Sequence, residues 1–173
     1  IERLLLQPEG LNLRTELYNA AQSIAPAGAI NGLAQCLLKL TSPGIPDIYQ
    51  GCEGWDLSLV DPDNRRPVDY ARHLQMLDDT LSPQALLADW RSGAIKQALI
   101  ARTLNVRARH PQLFSRGRYI PLAIRGEQAN HLLAFARQWH EQVAIIVVPR
   151  LIANHTQKHL QLLEKTPEWG ETF

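Results

Sequence analysis

"TSPGIPDIYQG", residues Thr41–Gly51, carries the decisive pattern: a helix stop, a tight turn and a strand-length run closed by glycine. Thr41-Ser-Pro-Gly44 ends a helix, because proline cannot continue one and glycine tolerates the backbone needed to leave it. Upstream, Ile30, Leu33, Ala34, Leu37, Leu38 and Leu40 recur at three- and four-residue intervals, which predicts a helix with one wide apolar face. Pro26 suits the first turn of that helix. Before it, Asn12–Ser23 is polar and weakly periodic, and is expected to be a loop with a helical turn or two. Helix, tight turn and strand in this order predict one αβ unit of a parallel sheet, with the strand near Pro46–Tyr49. Gln50 and Gly51 then stand at its carboxyl end.

Downstream, a loop runs from Cys52 to Pro67 and includes "SLVDPDNRRPVDY", Ser58–Tyr70, in which three aspartates and two adjacent arginines lie among two prolines. Two helices are expected at Val68–Asp79 and Pro83–Trp90, with Ser82 capping the second. Ala94 to Arg109 is strongly amphipathic and gathers basic residues towards its end, where they complement the helix dipole. His110 therefore reads as a helix-end residue rather than an acid or base, and Pro111 terminates the helix. The remainder is β: "RYIPLAIRG", "HLLAFARQWH" and "QVAIIVVPRL" are three strands with brief connections, Gly126–Asn130 and His140-Glu141, expected to form antiparallel hairpins. Tyr119 and Trp139, one per strand, read as packing residues rather than sugar-stacking platforms. So small a sheet is either unfinished or completed by the C-terminal segment.

Composition bounds the function. The chain has 173 residues, is 45% hydrophobic and 20% charged, and carries a formal net charge of +1, which gives no electrostatic reason to expect nucleic acid or an anionic membrane. No apolar run approaches the roughly 20 residues that span a bilayer. An Ile1 start, with Met76 the sole methionine and no secretory leader, is expected of a fragment or trimmed product. Cys36 and Cys52 have neither metal-ligand spacing nor a CxxC pairing, so two reduced thiols in a cytoplasmic protein are expected.

The run "TSPGIPDIYQGCEGWDLSLVDPDNRRPVDY", Thr41–Tyr70, resembles the end of the catalytic barrel in the α-amylase superfamily of glycoside hydrolases. There a helix leads to "PG-x-P-x-IY-x-G-x-E", the eighth barrel strand and the start of its loop. The continuation through "DPDNRRP" is similar to the maltooligosyl trehalose synthase family in particular. The resemblance runs from about Asn19 to Arg150, with "FARQWHEQVAIIVVPRL" similar to that family's C-terminal β-domain. Cys52 and Gly54 depart from it, standing where a threonine and a bulkier residue are expected, beside the motif rather than in it. The resemblance implies an α+β fragment: residues 1–112 as the end of a (β/α)8 barrel, and residues 113–173 as a small antiparallel β-domain. It also implies a parent enzyme, an intramolecular glucosyltransferase of trehalose biosynthesis. That enzyme converts the reducing-end α-1,4 linkage of a maltooligosaccharide into an α,α-1,1 linkage, with no cofactor and no metal. The partners implied are the maltooligosaccharide and the missing N-terminal part of the same barrel.

Barrel enzymes place their sites on the loops after the strands' carboxyl ends, which is where Gln50 to Arg66 would fall. A glucose unit both donates and accepts hydrogen bonds, so a subsite for it needs carboxylates, amides and guanidinium groups in fixed directions. Asp61, Asn64, Arg65 and Arg66 supply these types, with Pro62 and Pro67 stiffening the backbone. Gln50 joins them as a substrate-binding candidate, and Glu53 as a brace at the strand end. Asp63 is mainly a turn former. Retaining glycoside chemistry needs two carboxylates about 5 Å apart on opposite sides of the bond, and Asp61 and Asp63, from one turn, cannot flank a substrate. No catalytic residue is therefore assigned; the resemblance puts the catalytic carboxylates on earlier barrel strands. Two alternatives stand beside this reading. One is a fragment of another hydrolase or transglucosylase of the same superfamily, and the other a non-catalytic carbohydrate-binding module.

Overall fold

The structure is a computed structural model that describes residues 7–58, 65–77, 81–153 and 169–172. Its first element is one long helix, α1, Leu11–Thr41, preceded by a 3-10 turn at Pro8–Gly10. The loop expected at Asn12–Ser23 is thus helical, and Pro26 lies inside the helix instead of opening it. The reason is local. Leu, Arg, Glu, Ala and Gln dominate this stretch and favour helix, but its side chains are mostly exposed, so no buried face imprints a periodicity on the sequence. Thr15 and Ser23 return their hydroxyls to the carbonyls of Leu11 and Ala20, at 2.9 and 2.7 Å. The C-terminus falls where the stop signal puts it: Ser42 is the cap, its N–H donating to the Leu38 carbonyl, and Gly44 takes φ +123°.

The second half of α1 is a wedge with two working faces. Ala34, with Leu37 and Leu38, packs on Phe135, Ile146 and Val148 of the sheet. Cys36 and Leu40 point elsewhere and pack with Ile48, Leu99 and Ile100. The last two belong to the amphipathic helix, here α4 (Ala94–Arg109), which has the bounds its periodicity predicts. Between α1 and α4 come α2 (Tyr70–Met76) and α3 (Pro83–Ala88), both shorter than expected. Asp69 caps α2, accepting from Arg72 N at 3.0 Å, and Ser82 caps α3, accepting from Ala85 N at 3.1 Å. A 3-10 turn, Trp90–Ser92, begins where α3 is expected to end. Pro111, rather than only ending α4, opens a further short helix, α5 (Pro111–Ser115).

The sheet is three-stranded and antiparallel, in the order β1 (Arg118–Leu122), β2 (Leu132–Trp139), β3 (Gln142–Pro149). Trp139 pairs with Gln142, so His140-Glu141 makes a two-residue hairpin, with His140 at φ +51°. The β1–β2 connection is longer than expected and holds a 3-10 turn at Ala129–His131. Alternation along β3 turns Ile146 and Val148 to the core and leaves Val143, Ile145 and Val147 exposed. Tyr119 is half exposed, and its ring lies 4.8 Å from that of Phe135. Residues 169–172 return to the β1–β2 connection, where Thr172 Oγ1 accepts from Gln128 N at 3.1 Å. No strand forms at Pro46–Tyr49: among the described residues this run pairs with no other strand. A strand is defined by its ladder, so the run would need neighbours that the described residues do not supply.

One buried cation fastens the sheet to the helices. Arg137 on β2 is 1% exposed, and its partners are three backbone carbonyls. Nη1 donates to Thr41 O at 2.9 Å, and Nη2 to Phe114 O and Gly117 O at 2.8 and 2.9 Å. Arg107 of α4 serves the same corner, donating to Leu40 O at 2.7 Å and Gly44 O at 3.3 Å, with its guanidinium 5.2 Å from the Phe114 ring centre. Positive groups at the end of α1 meet the negative pole of its dipole. Burial, and next the nearby Arg107 charge, lower the pKa of Arg137.

Candidate functional site

The segment after Pro46–Tyr49 turns sharply at Gly51, whose φ of +85° favours glycine. A Cβ on Gly51 would stand 2.9 Å from a Val68 methyl, so the two ends of the charged loop meet at its base. Tyr70 OH donates to Gln50 Oε1 at 3.3 Å across the same junction. Gln50 itself is exposed, Glu53 is half-buried, and Arg65 and Arg66 are exposed. Asp61 and Asn64, together with Asp63, lie outside the described residues. The structure therefore brings Gln50 and Glu53 to the base of the loop that bears Arg65 and Arg66. Glu53 faces a cleft of about 330 Å³ beside Tyr70, His73 and Gln97. His73 Nδ1 and Gln97 Oε1 are 3.1 Å apart, and Gln97, buried, donates from Nε2 to His73 O at 2.7 Å, tying α2 to α4.

Residues 52–58 are held mainly by side chains. Cys52 N donates to Tyr49 O at 3.0 Å. Beyond it, Lys96 of α4 donates from Nζ to Cys52 O and to Gly54 O, each at 2.8 Å, and sits 5.9 Å from the centre of the Trp55 ring. Trp55 Nε1 donates to Trp90 O at 2.6 Å. Gly93, at φ +87°, lets the chain pass so close that a Cβ there would be 2.9 Å from Trp55 N. Asp56 closes an Asx turn: Oδ1 accepts from Ser58 N at 2.9 Å and from the Ser58 hydroxyl, and Oδ2 accepts from Cys52 Sγ at 3.0 Å. The Ser58 hydroxyl, then the Cys52 thiol, then the Ser58 N–H lower the Asp56 carboxyl to about 2. Burial, reinforced by the Asp56 hydrogen bond and charge, pushes the Cys52 thiol up to about 11, so it stays protonated at neutral pH. Cys36 and Cys52 are both free thiols.

A second, open cleft of about 1100 Å³ is lined by these residues and by α1. One wall is the small-residue face of α1, including Gly28, Ala29 and Gly32, and the other carries Tyr49, Trp55 and Trp90. The segment Ile48–Leu57 thus contributes residues to the lining of both clefts. Among the described residues, no group of three or more His, Cys, Asp or Glu is placed to hold a metal, and no helix is long and apolar enough to cross a membrane.

The sequence reading missed Lys96, Trp55, Asp56 and Arg137. Two of these left a trace. Asp56-Leu-Ser58 has the spacing of an Asx turn. Lys96 falls in the first turn of α4, where the helix dipole disfavours a cation, and that misfit marks a side chain with another task. Arg137 sits in a strand's interior, indistinguishable in sequence from an outward-facing arginine.

No family model matches the chain. It is 40% identical over 125 residues, 72% of its length, to a Mycobacterium tuberculosis protein provisionally named a maltooligosyl trehalose synthase, in two strains. It spans 15% of that relative's length. The maltooligosyltrehalose synthase of Arthrobacter ramosus superposes on 98% of the chain with a TM-score of 0.71 and 38% identity, over 20% of its own length. A second solved maltooligosyl trehalose synthase, 28% identical, covers 86% of the chain and 19% of its own with a TM-score of 0.69. By sequence and by fold, this chain is similar to one segment of the maltooligosyl trehalose synthases.

Proposed function

We propose that the chain is the C-terminal part of a maltooligosyl trehalose synthase, with residues 1–112 closing its (β/α)8 barrel and residues 113–173 forming its β-domain. Pro46–Tyr49 is then the eighth barrel strand, completed by the N-terminal part of the same barrel. The intact protein acts in the cytoplasm on maltooligosaccharides, and needs neither nucleic acid, membrane nor cofactor.

The chemistry sets what this segment must do. The α-1,4 bond to the reducing-end glucose breaks and the same glucosyl carbon is joined to that glucose's anomeric hydroxyl. Between the two events the freed glucose has to stay, turn over and exclude water. The catalytic carboxylates come from other parts of the barrel. The loop from Gln50 to Arg66 supplies the retaining wall: the guanidinium groups of Arg65 and Arg66 donate to sugar hydroxyls, with Asp61, Asn64 and Gln50 completing the set and Glu53 bracing its base. The observation that carries this reading is the closed base of the loop, Gln50 under Tyr70 and Gly51 against Val68, on a chain of which 98% superposes on a segment of one solved synthase. Such a base gives an exposed charged loop the fixed direction that a polyol subsite needs.

The test is product partitioning by the intact enzyme on maltopentaose. Arg65→Ala and Arg66→Ala each remove charged hydrogen bonds of roughly 1.5–3 kcal/mol, so turnover falls on the order of ten- to a hundredfold. Glucose release rises relative to trehalose-end formation, and Arg→Lys restores only part, since an ammonium lacks the planar fork. Wild-type partitioning and turnover per folded molecule in both variants would reduce the arginines to braces. The isolated chain forms no trehalose-ended product.

A further inference from the structure

We infer that Lys96 is a positioning residue for the substrate-retaining loop, setting the direction in which the chain leaves the strand end towards Arg65 and Arg66. The inference rests on the reading of that loop given above.

Three observations converge on it. First, the turn at Cys52–Gly54 presents two carbonyl oxygens to α4, and one ammonium takes both at 2.8 Å. Second, other anchors of the same segment surround that ammonium. The Trp55 ring lies 5.9 Å away and is itself pinned through its indole N–H to Trp90 O, and Gly93 at the N-cap of α4 backs directly on Trp55 N. Third, Lys96 occupies the first turn of α4, where the dipole repels a cation. A lysine there costs the helix a little, and its gain is the pair of charge-assisted bonds to the loop.

The consequence is mechanical. Residues 52–58 lack a ladder or a helix to define them, so their course depends on a donor reaching in from α4 and a carbonyl acceptor on the Trp90 turn. Lys96 holds the first half of the segment, and Asp56 with Ser58 holds the second. Releasing the ammonium frees two carbonyls and loosens residues 52–58, the stretch through which the chain enters the loop.

The experiment uses the intact enzyme with Lys96→Met, Lys96→Arg and Trp55→Phe, beside Arg65→Ala and Arg66→Ala. Thermal melting and the ratio of glucose to trehalose-ended product from maltopentaose are measured for each. Lys96→Met, which keeps the stem and loses the donors, raises that ratio on the order of ten- to a hundredfold per folded molecule, since a misplacement that begins away from the reacting atoms can cost up to about a hundredfold. Lys96→Arg, which keeps a donor cation, falls between Met and wild type. A brace without a positioning role would lower the melting temperature and leave the ratio unchanged. If the arginine variants shift the ratio and Lys96→Met does not, the inference is wrong and the loop reading stands. If the arginine variants leave the ratio unchanged, the loop reading fails and takes the inference with it. Should Lys96→Met not fold, an unshifted ratio in both Lys96→Arg and Trp55→Phe overturns the inference.

Discussion

Arg137 provides the sharpest test of how the two parts of the chain are joined. Its guanidinium is almost wholly buried and answers three carbonyls from three places: the end of α1, α5 and the link into β1. Arg137→Met keeps most of the volume and removes every donor. Each orphaned buried carbonyl costs about 1–3 kcal/mol if it cannot find water. Opposing that, the variant is relieved of the cost of burying a cation, and replacements of buried charge by apolar groups are often tolerated when all partners leave together. Here the partners are backbone and cannot leave, so the loss dominates. Since the three bonds share one side chain and do not add fully, a net destabilisation of about 3 kcal/mol is expected. For a chain of this size that lowers the melting temperature by about 6–12 °C. Arg137→Lys recovers less than half, because one ammonium cannot reach carbonyls on three elements. The assay is urea and thermal unfolding followed by circular dichroism, with limited proteolysis across Arg116–Arg118 as a local readout. A Met variant that melts within about 2 °C of wild type, and resists cleavage equally, would show that apolar packing of Ala34 on Phe135 and Ile146 suffices to hold the sheet.

Gly93→Ala should destabilise the chain by about 2 kcal/mol, since φ +87° strains a residue with a Cβ and that Cβ would press on Trp55 N at 2.9 Å; calorimetry checks this, and an unchanged melt would refute the close packing of loop on helix. Asp56 has a folded pKa of about 2 against an ordinary 3.8, so folding favours its ionised form. The tie it gives residues 52–58 is therefore complete above pH 4 and lost as pH falls through 2; hydrogen exchange of Ser58 N–H should follow that window, and Asp56→Asn should abolish the pH step. Cys52, pushed up to about 11, should react with iodoacetamide at a rate still climbing above pH 10. Asp56→Asn should bring that midpoint only part of the way down, because burial is the larger cause.

Local signals in the sequence settled a good deal. The stop at Thr41–Gly44, the cap at Ser82, the bounds of α4 and the His140-Glu141 hairpin were all legible, because each depends on residues within a few positions of one another. The family was legible for a related reason: "DPDNRRP" and its flanks are a contiguous string. The first half of α1 was not legible, since an exposed helix has propensity without a buried stripe, and Pro26 outweighed a preference spread over many residues. The strand expected at Pro46–Tyr49 is not realised either, because a ladder is a property of pairs of segments.

Tertiary structure alone decided which polar residues matter to the loop. Lys96 lies far along the chain from Cys52 and Gly54, and Arg137 farther still from Thr41, so no spacing rule could join them. Gln50 and Glu53 could be named from sequence as neighbours of a strand end, but the tie of Gln50 to Tyr70, beside the cleft that Glu53 lines, follows from the fold. The sequence by itself determined helix ends, hairpin and kinship, which are written in adjacent residues. The wedge of α1 between sheet and α4, and the cations that fasten the loop to α4 and the sheet to the end of α1, came only from the folded chain, where a buried carbonyl recruits whichever donor the packing brings within reach.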